Sequence, residues 1–255
     1  MSLQKQCVKD LRTVISGLEG WPGKTAAGEV LPFGLAPLDR HLPGGGLRLA
    51  GLHEMADQGL GQPYASAAGL MVAGILARRD GPVLWASESP DLYAPALAGV
   101  GLSPDRVLHV VARRAVLLVM EEGLRHGRFA GIVGELRQIG AIAARRLQLA
   151  AEVAGMPAFA LRRLVPREPA GAIAPIPALT RWRIARLPSG PAVPEAPSLP
   201  GLAPALWRLE LIRCRGAEAA SWIVEACDAT GHLRLPAAVA DGSLATAAEP
   251  QQRAG

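Results

Sequence analysis

Short apolar runs alternate with stretches of helical spacing along most of this chain, and no other feature of the sequence constrains the fold so tightly. Leu49 to Met55, Pro82 to Ala86, Val107 to Val111, Phe129 to Val133 and Met156 to Leu161 each have the length and apolar content of a buried strand. Between them lie Tyr64 to Arg79, Asp91 to Val100, Ala115 to Arg125 and Leu136 to Ala154, where apolar residues recur every three or four positions. Parallel neighbours need long crossovers, and right-handed crossovers put helices on both faces of the sheet. The expected fold is therefore α/β, with a mostly parallel sheet flanked by helices.

The flanks read differently. From Leu3 to Leu18 the residues Leu3, Cys7, Leu11, Val14, Ile15 and Leu18 form one face of an amphipathic helix, and Gly20 to Pro32 is a glycine- and proline-rich linker. Pro188, Pro191, Pro194, Pro197 and Pro200 recur every third residue, the period of polyproline II, which suits an exposed connector. Trp207 to Cys214 alternates with period two and Ser221 to Ala226 supplies a second run, so an antiparallel hairpin on the sheet edge is expected. The resulting division is an N-terminal helix and linker (1–30), a core (31–187), a connector (188–205), a C-terminal hairpin (206–236) and a tail (237–255).

Length and composition exclude several classes. A chain of 255 residues, half of them hydrophobic, suits one large domain with a substantial interior. Cys7, Cys214 and Cys227 are odd in number and widely spaced, which supports neither a disulfide framework nor a zinc site, so no metal and no cofactor are expected. The polar start and the lack of a long apolar run point to a cytoplasmic protein without a membrane segment. The formal net charge of +5 is nearly all arginine, lysine occurring only at Lys5, Lys9 and Lys24. That excess suits an anionic partner, but biased composition accounts for it equally well.

Two glycine motifs fail on context. Gly23-Lys24-Thr25 ends like a phosphate loop but follows no strand, and Gly44-Gly45-Gly46 has no helix after it and reads as a tight turn. The better position is the loop after the Leu49 to Met55 strand, since phosphate loops join a strand to a helix N-terminus. Laid on G-x-x-x-x-G-K-[ST], Ala56 stands for the first glycine, Gly61 for the second, Gln62 for the lysine and Pro63 for the hydroxyl residue. Gln62 brings no charge to the phosphates, and Pro63 has neither a hydroxyl nor an N–H. Glu54 and Asp57 add negative charge, and like charges about 4 Å apart repel by about 4 kcal/mol at an effective dielectric near 20. ATPase activity is not expected.

Phe33-Gly34-Leu35-Ala36-Pro37-Leu38-Asp39, Leu42-Pro43-Gly44-Gly45-Gly46-Leu47 and Leu52-His53-Glu54 resemble the opening of ImuA proteins and, more distantly, of RecA. Val133-Gly134-Glu135-Leu136, Ala144-Arg145-Arg146-Leu147, Gly155-Met156-Pro157-Ala158, Arg181-Trp182-Arg183 and Trp207-Arg208-Leu209-Glu210-Leu211 extend the resemblance from about Leu31 to Leu235. It implies a RecA-like core working in the SOS response as a non-catalytic adaptor of error-prone translesion synthesis. Its partners would be an ImuB-like relative of Y-family polymerases, an error-prone replicative-type DNA polymerase and, as a further candidate, a RecA-type protomer.

The resemblance also implies site positions. Glu88 and Glu135 match the acidic strand ends of RecA-like ATPases, although solvated or helix-capping carboxylates are the plainer account of both. Arg162, Arg163, Arg167, Arg181, Arg183 and Arg186 crowd the region matching a DNA-contacting loop, and arginine suits phosphate. DNA contact, direct or through a partner, stays open there. A helix matching Leu3, Leu11, Val14, Ile15 and Leu18 packs on a neighbouring subunit in RecA, with packing on the chain's own core as the equal alternative. The rival functions are a DNA-dependent ATPase or recombinase with a divergent nucleotide site, and a SulA-like inhibitor of cell division.

Overall fold

A computed structural model describes residues 6, 10–11, 28–58, 66–163, 176–192 and 200–236. Its centre is an eight-stranded sheet in the order β10-β9-β8-β3-β7-β6-β4-β5. The strands are β3 (Gly51–Asp57), β4 (Val83–Ser87), β5 (Val107–Val111), β6 (Gly131–Leu136), β7 (Pro157–Arg162), β8 (Thr180–Leu187), β9 (Leu206–Cys214) and β10 (Ala220–Glu225). From β8 to β5 all neighbours are parallel, whereas β8, β9 and β10 pair antiparallel. A two-stranded antiparallel ribbon, β1 (Val30–Leu31) with β2 (Leu47–Arg48), precedes the sheet.

Every residue of β3, β4, β6 and β7 is buried, as strands of a parallel sheet covered on both faces are. One face packs on the Ala67–Ala77 helix together with Phe33, Trp182 and Trp207. The other carries the Val116–His126 and Ala141–Ala154 helices. Tertiary contacts trim the expected helices. Leu136 ends β6, so the helix after it begins only at Ala141, and Asp91 to Val100 reduces to Ala94–Ala98. The Ala67–Ala77 helix is buried almost all round, because the 227–233 segment lies over its outer side and Gly74 meets Cys227 there.

The Phe33 to Asp39 segment is held by one carboxylate. Asp39 accepts from the Phe33 N–H at 2.6 Å and the Gly34 N–H at 2.9 Å, and Pro37 sits in the first turn of the Ala36–Asp39 helix. The glycine run is a turn: Gly44 and Gly45 take φ of 78° and 81°, and a Cβ on Gly46 would lie 2.6 Å from the Leu31 backbone.

β8 is the strand that pattern reading misses. Its arginines draw attention to loop chemistry, yet Trp182 and Ile184 alternate with Arg181 and Arg183, which is strand spacing. A buried relay docks it on β3. The Trp182 indole N–H donates to Thr180 Oγ1 at 2.8 Å, the Thr180 hydroxyl lies 2.8 Å from His53 Nδ1, and His53 Nε2 lies 2.8 Å from the Arg48 carbonyl. The threonine hydroxyl then donates to Nδ1 and the His53 proton sits on Nε2. Burial lowers the His53 pKa to about 4, so the ring is neutral.

Candidate functional site at the carboxyl ends of the strands

Ligands of open parallel sheets bind beyond the carboxyl ends of the strands. Here β8, β3, β7, β6 and β4 end side by side and bring together Ala56, Asp57, Glu88, Glu135, Arg162 and Arg163. Gly61, Gln62, Pro63 and Arg167 lie outside the described residues.

Glu135, 4% exposed, is held from two sides. The Trp85 indole N–H donates to Oε1 at 2.7 Å, and Arg163 donates to Oε2 through Nε at 2.9 Å, with its terminal nitrogen at 2.8 Å. Strand order makes the pairing possible, since β4 and β7 flank β6. Glu88 faces Arg137 at 3.4 Å, with both side chains partly solvated, a pair that contributes little.

Asp57 ends β3 and reaches the start of the next helix. Its Oδ1 accepts from the Ala68 N–H at 2.8 Å, while Oδ2 is buried without a hydrogen-bond partner among the described residues. Ser66, the cap residue of that helix, makes no side-chain cap bond. Burial raises the Asp57 pKa to about 6, against the pull of the Ala68 N–H, the Arg163 charge and the Ala67 N–H.

Glu54 corrects the sequence-based expectation. It does not add charge to the loop but lies within β3, opposite Arg181 in the register, and pairs with Arg181 Nε at 3.0 Å. Burial raises its pKa, with Arg181 and Arg162 opposing. Arg162 is 5% exposed, Arg183 pairs with Glu210 at 3.4 Å, and Arg186 is exposed near the end of β8. Leu11 is buried among the residues of the chain's own second core cluster. Leu3, Val14, Ile15 and Leu18 lie outside the described residues.

Sequence reasoning missed Trp85 and Arg137 as partners of the carboxylates, and the Ser87–His109 contact at 2.8 Å. No local signal announces them, because each joins residues on different elements. Among the described residues no His, Cys, Asp and Glu cluster is placed to hold a metal ion, and no helix is long and apolar enough to cross a membrane.

The sheet order and the parallel core define a RecA-like α/β fold. The crystal structure of the RadB recombinase matches with a TM-score of 0.55 at 17% identity, covering 81% of this chain and 99% of that one, a likeness of fold alone. The sequence is 38% identical over 240 residues to Protein ImuA of Caulobacter vibrioides, both in strain NA1000 / CB15N and in strain ATCC 19089 / CIP 103742 / CB 15. The match covers 89% of this chain and 96% of each relative. No protein-family model matches. The chain belongs to the ImuA family.

Proposed function

We propose that the chain is a non-catalytic RecA-like adaptor of SOS-induced, error-prone translesion DNA synthesis, acting with an ImuB-like protein and an error-prone polymerase. Membership of a family named for mutagenesis supports the setting. The observation that carries the non-catalytic part is the engagement of Glu135. A carboxylate that completes a magnesium site needs lone pairs directed at open space. Glu135 instead spends one oxygen on the Trp85 indole and the other on the Arg163 guanidinium. Ala56, Gln62 and Pro63 in the adjoining loop sequence support the same reading. Arg183 and Arg186, the more exposed arginines of β8, are candidates for contact with DNA or a partner.

Purified protein is expected to show no tight binding of labelled ATP with magnesium, and no phosphate release above background with or without single-stranded DNA. DNA-stimulated turnover would overturn the adaptor reading in favour of a divergent ATPase. Co-purification with an ImuB-like protein, without an effect on cell division, separates the adaptor from a SulA-like inhibitor.

A further inference from the structure

We infer that the outer face of the Ala141–Ala154 helix is a docking surface for an acidic amphipathic helix of another protein. An adaptor needs such a surface, but the inference stands on this helix itself and goes beyond the proposed function. Ala144, Leu147, Gln148, Ala151 and Ala154 form the buried side of the helix. Directly opposite lie Ile142, Leu149 and Val153, which are 82%, 45% and 74% exposed. At 3.6 residues per turn these positions fall within about 40° of one another, so the three make one stripe about 16 Å long. A surface helix is ordinarily polar on that face. Exposed aliphatic residues scattered singly need no account, whereas an aligned set rimmed by charge marks a contact surface. The stripe has a neighbour on the Val116–His126 helix. Leu118, 40% exposed, precedes Glu121 by one turn, as Ile142 precedes Arg146, and Glu121 and Arg146 pair at 2.5 Å.

Charge decides the occupant. Arg145 and Arg146 flank the stripe on either side. Glu121 matches Arg146, whereas Arg145 is exposed and forms no ion pair among the described residues. Glu152, farther along the Arg145 side, accepts from Gln148 Nε2 at 2.8 Å. Arg113, Arg114 and Arg128 are also exposed around the neighbouring helix, so this side of the molecule is basic. A second copy is disfavoured. A two-fold contact through the stripe would seat Ile142 against Val153 of the other copy, and would gather both copies of Arg145 and Arg146 within a turn of the axis, where like charges repel. The chain's own N-terminal helix fails for a similar reason. Lys5, Lys9 and Arg12 bring further positive charge, and Leu11 is already buried in the second core cluster. A helix with carboxylates on both flanks of an apolar stripe meets the arginines and covers the aliphatic residues.

The test uses the full-length parent, an Ile142→Gln/Val153→Gln double variant and Arg145→Glu, none of which removes a buried side chain. The probe is a synthetic helical peptide of about 18 residues, with leucines on one face and glutamates on both flanks, and its control carries lysine at every glutamate. By fluorescence anisotropy the parent should bind the acidic peptide at least tenfold tighter than the lysine control, with an affinity that falls as salt rises. The double variant should lose at least tenfold in affinity while melting at the parent's temperature, and Arg145→Glu should lose the preference for the acidic peptide. A parent that binds neither peptide, or both alike, overturns the inference, as does a double variant that binds like the parent. Should the double variant melt early, Arg145→Glu decides, and an undiminished preference there overturns the inference. Sedimentation of the parent as a dimer that the double variant dissociates would put a second copy on the stripe and likewise overturn it. ATP turnover by the parent would sink the non-catalytic reading and leave this one standing, so the two failures are distinguishable.

Discussion

Burial shifts the pKa values of two side chains on β3 in opposite directions. Asp57 is raised from its ordinary 3.8 to about 6, so between those values the native protein holds a proton that the unfolded chain has lost. Stability from this group is present at low pH and falls as pH rises through 6, by about 3 kcal/mol in all. His53 is lowered from 6.5 to about 4, so its contribution is complete above 6.5 and is lost as pH falls towards 4. Comparison with a variant isolates Asp57. Asp57→Asn keeps an acceptor for the Ala68 N–H and removes the charge. Its stability over the parent, from urea unfolding at a series of pH values, should grow from near zero at pH 4 to about 3 kcal/mol at pH 7. A variant whose pH profile runs parallel to the parent's would show that Asp57 is not a buried carboxylate.

At the level of elements, the Ala67–Ala77 helix shows packing overruling propensity. Alanine is favoured over glycine inside a helix by about 1 kcal/mol. At Gly74, however, a Cβ would lie 2.6 Å from Cys227 Sγ and 3.0 Å from its Cβ. Overpacking of that kind costs about 1–3 kcal/mol. Gly74→Ala is therefore expected to lower the urea midpoint despite its gain in propensity, and adding Cys227→Ala should recover part of the loss. A midpoint at or above the parent's would mean that the 227–233 segment does not press on this helix. The far end of the same helix is held by Arg106, whose guanidinium donates to the Gly81 carbonyl at 2.8 Å and the Ala77 carbonyl at 3.2 Å. A basic group suits the carbonyl of Ala77, the last residue of the helix.

For the molecule as a whole, Leu11 ties the N-terminal helix to the second core cluster. Gln6 and Asp10, four residues apart, share a hydrogen bond of 2.7 Å, and Leu11 next to them is 4% exposed among the residues of the second core cluster. Removing a buried leucine side chain costs about 2–5 kcal/mol. Leu11→Ala should accordingly destabilise the whole fold by about 2–3 kcal/mol, with an unfolding midpoint independent of protein concentration. A midpoint that rises with concentration in the parent and loses that dependence in the variant would place Leu11 against a second chain instead.

The alternation of apolar runs and helical spacing, a local property, already determined the parallel character of the core, the order of elements from Leu49 to Leu161 and the terminal hairpin. The substitutions at Ala56, Gln62 and Pro63 are also legible without coordinates, because each removes a chemical group. Tertiary structure alone decided which carboxylates are engaged. Glu135 meets Trp85 and Arg163 only because β4 and β7 flank β6, and Glu54 meets Arg181 only because β8 inserts beside β3. β8 itself carried the period-two signal, but its arginines resemble a solvated loop until Trp182 and Ile184 are seen buried. Composition and periodicity act over a few residues and can be read along the chain. Ion pairing and burial depend on neighbours that strand order brings from 28 to 127 residues away, a distance over which no local pattern reports.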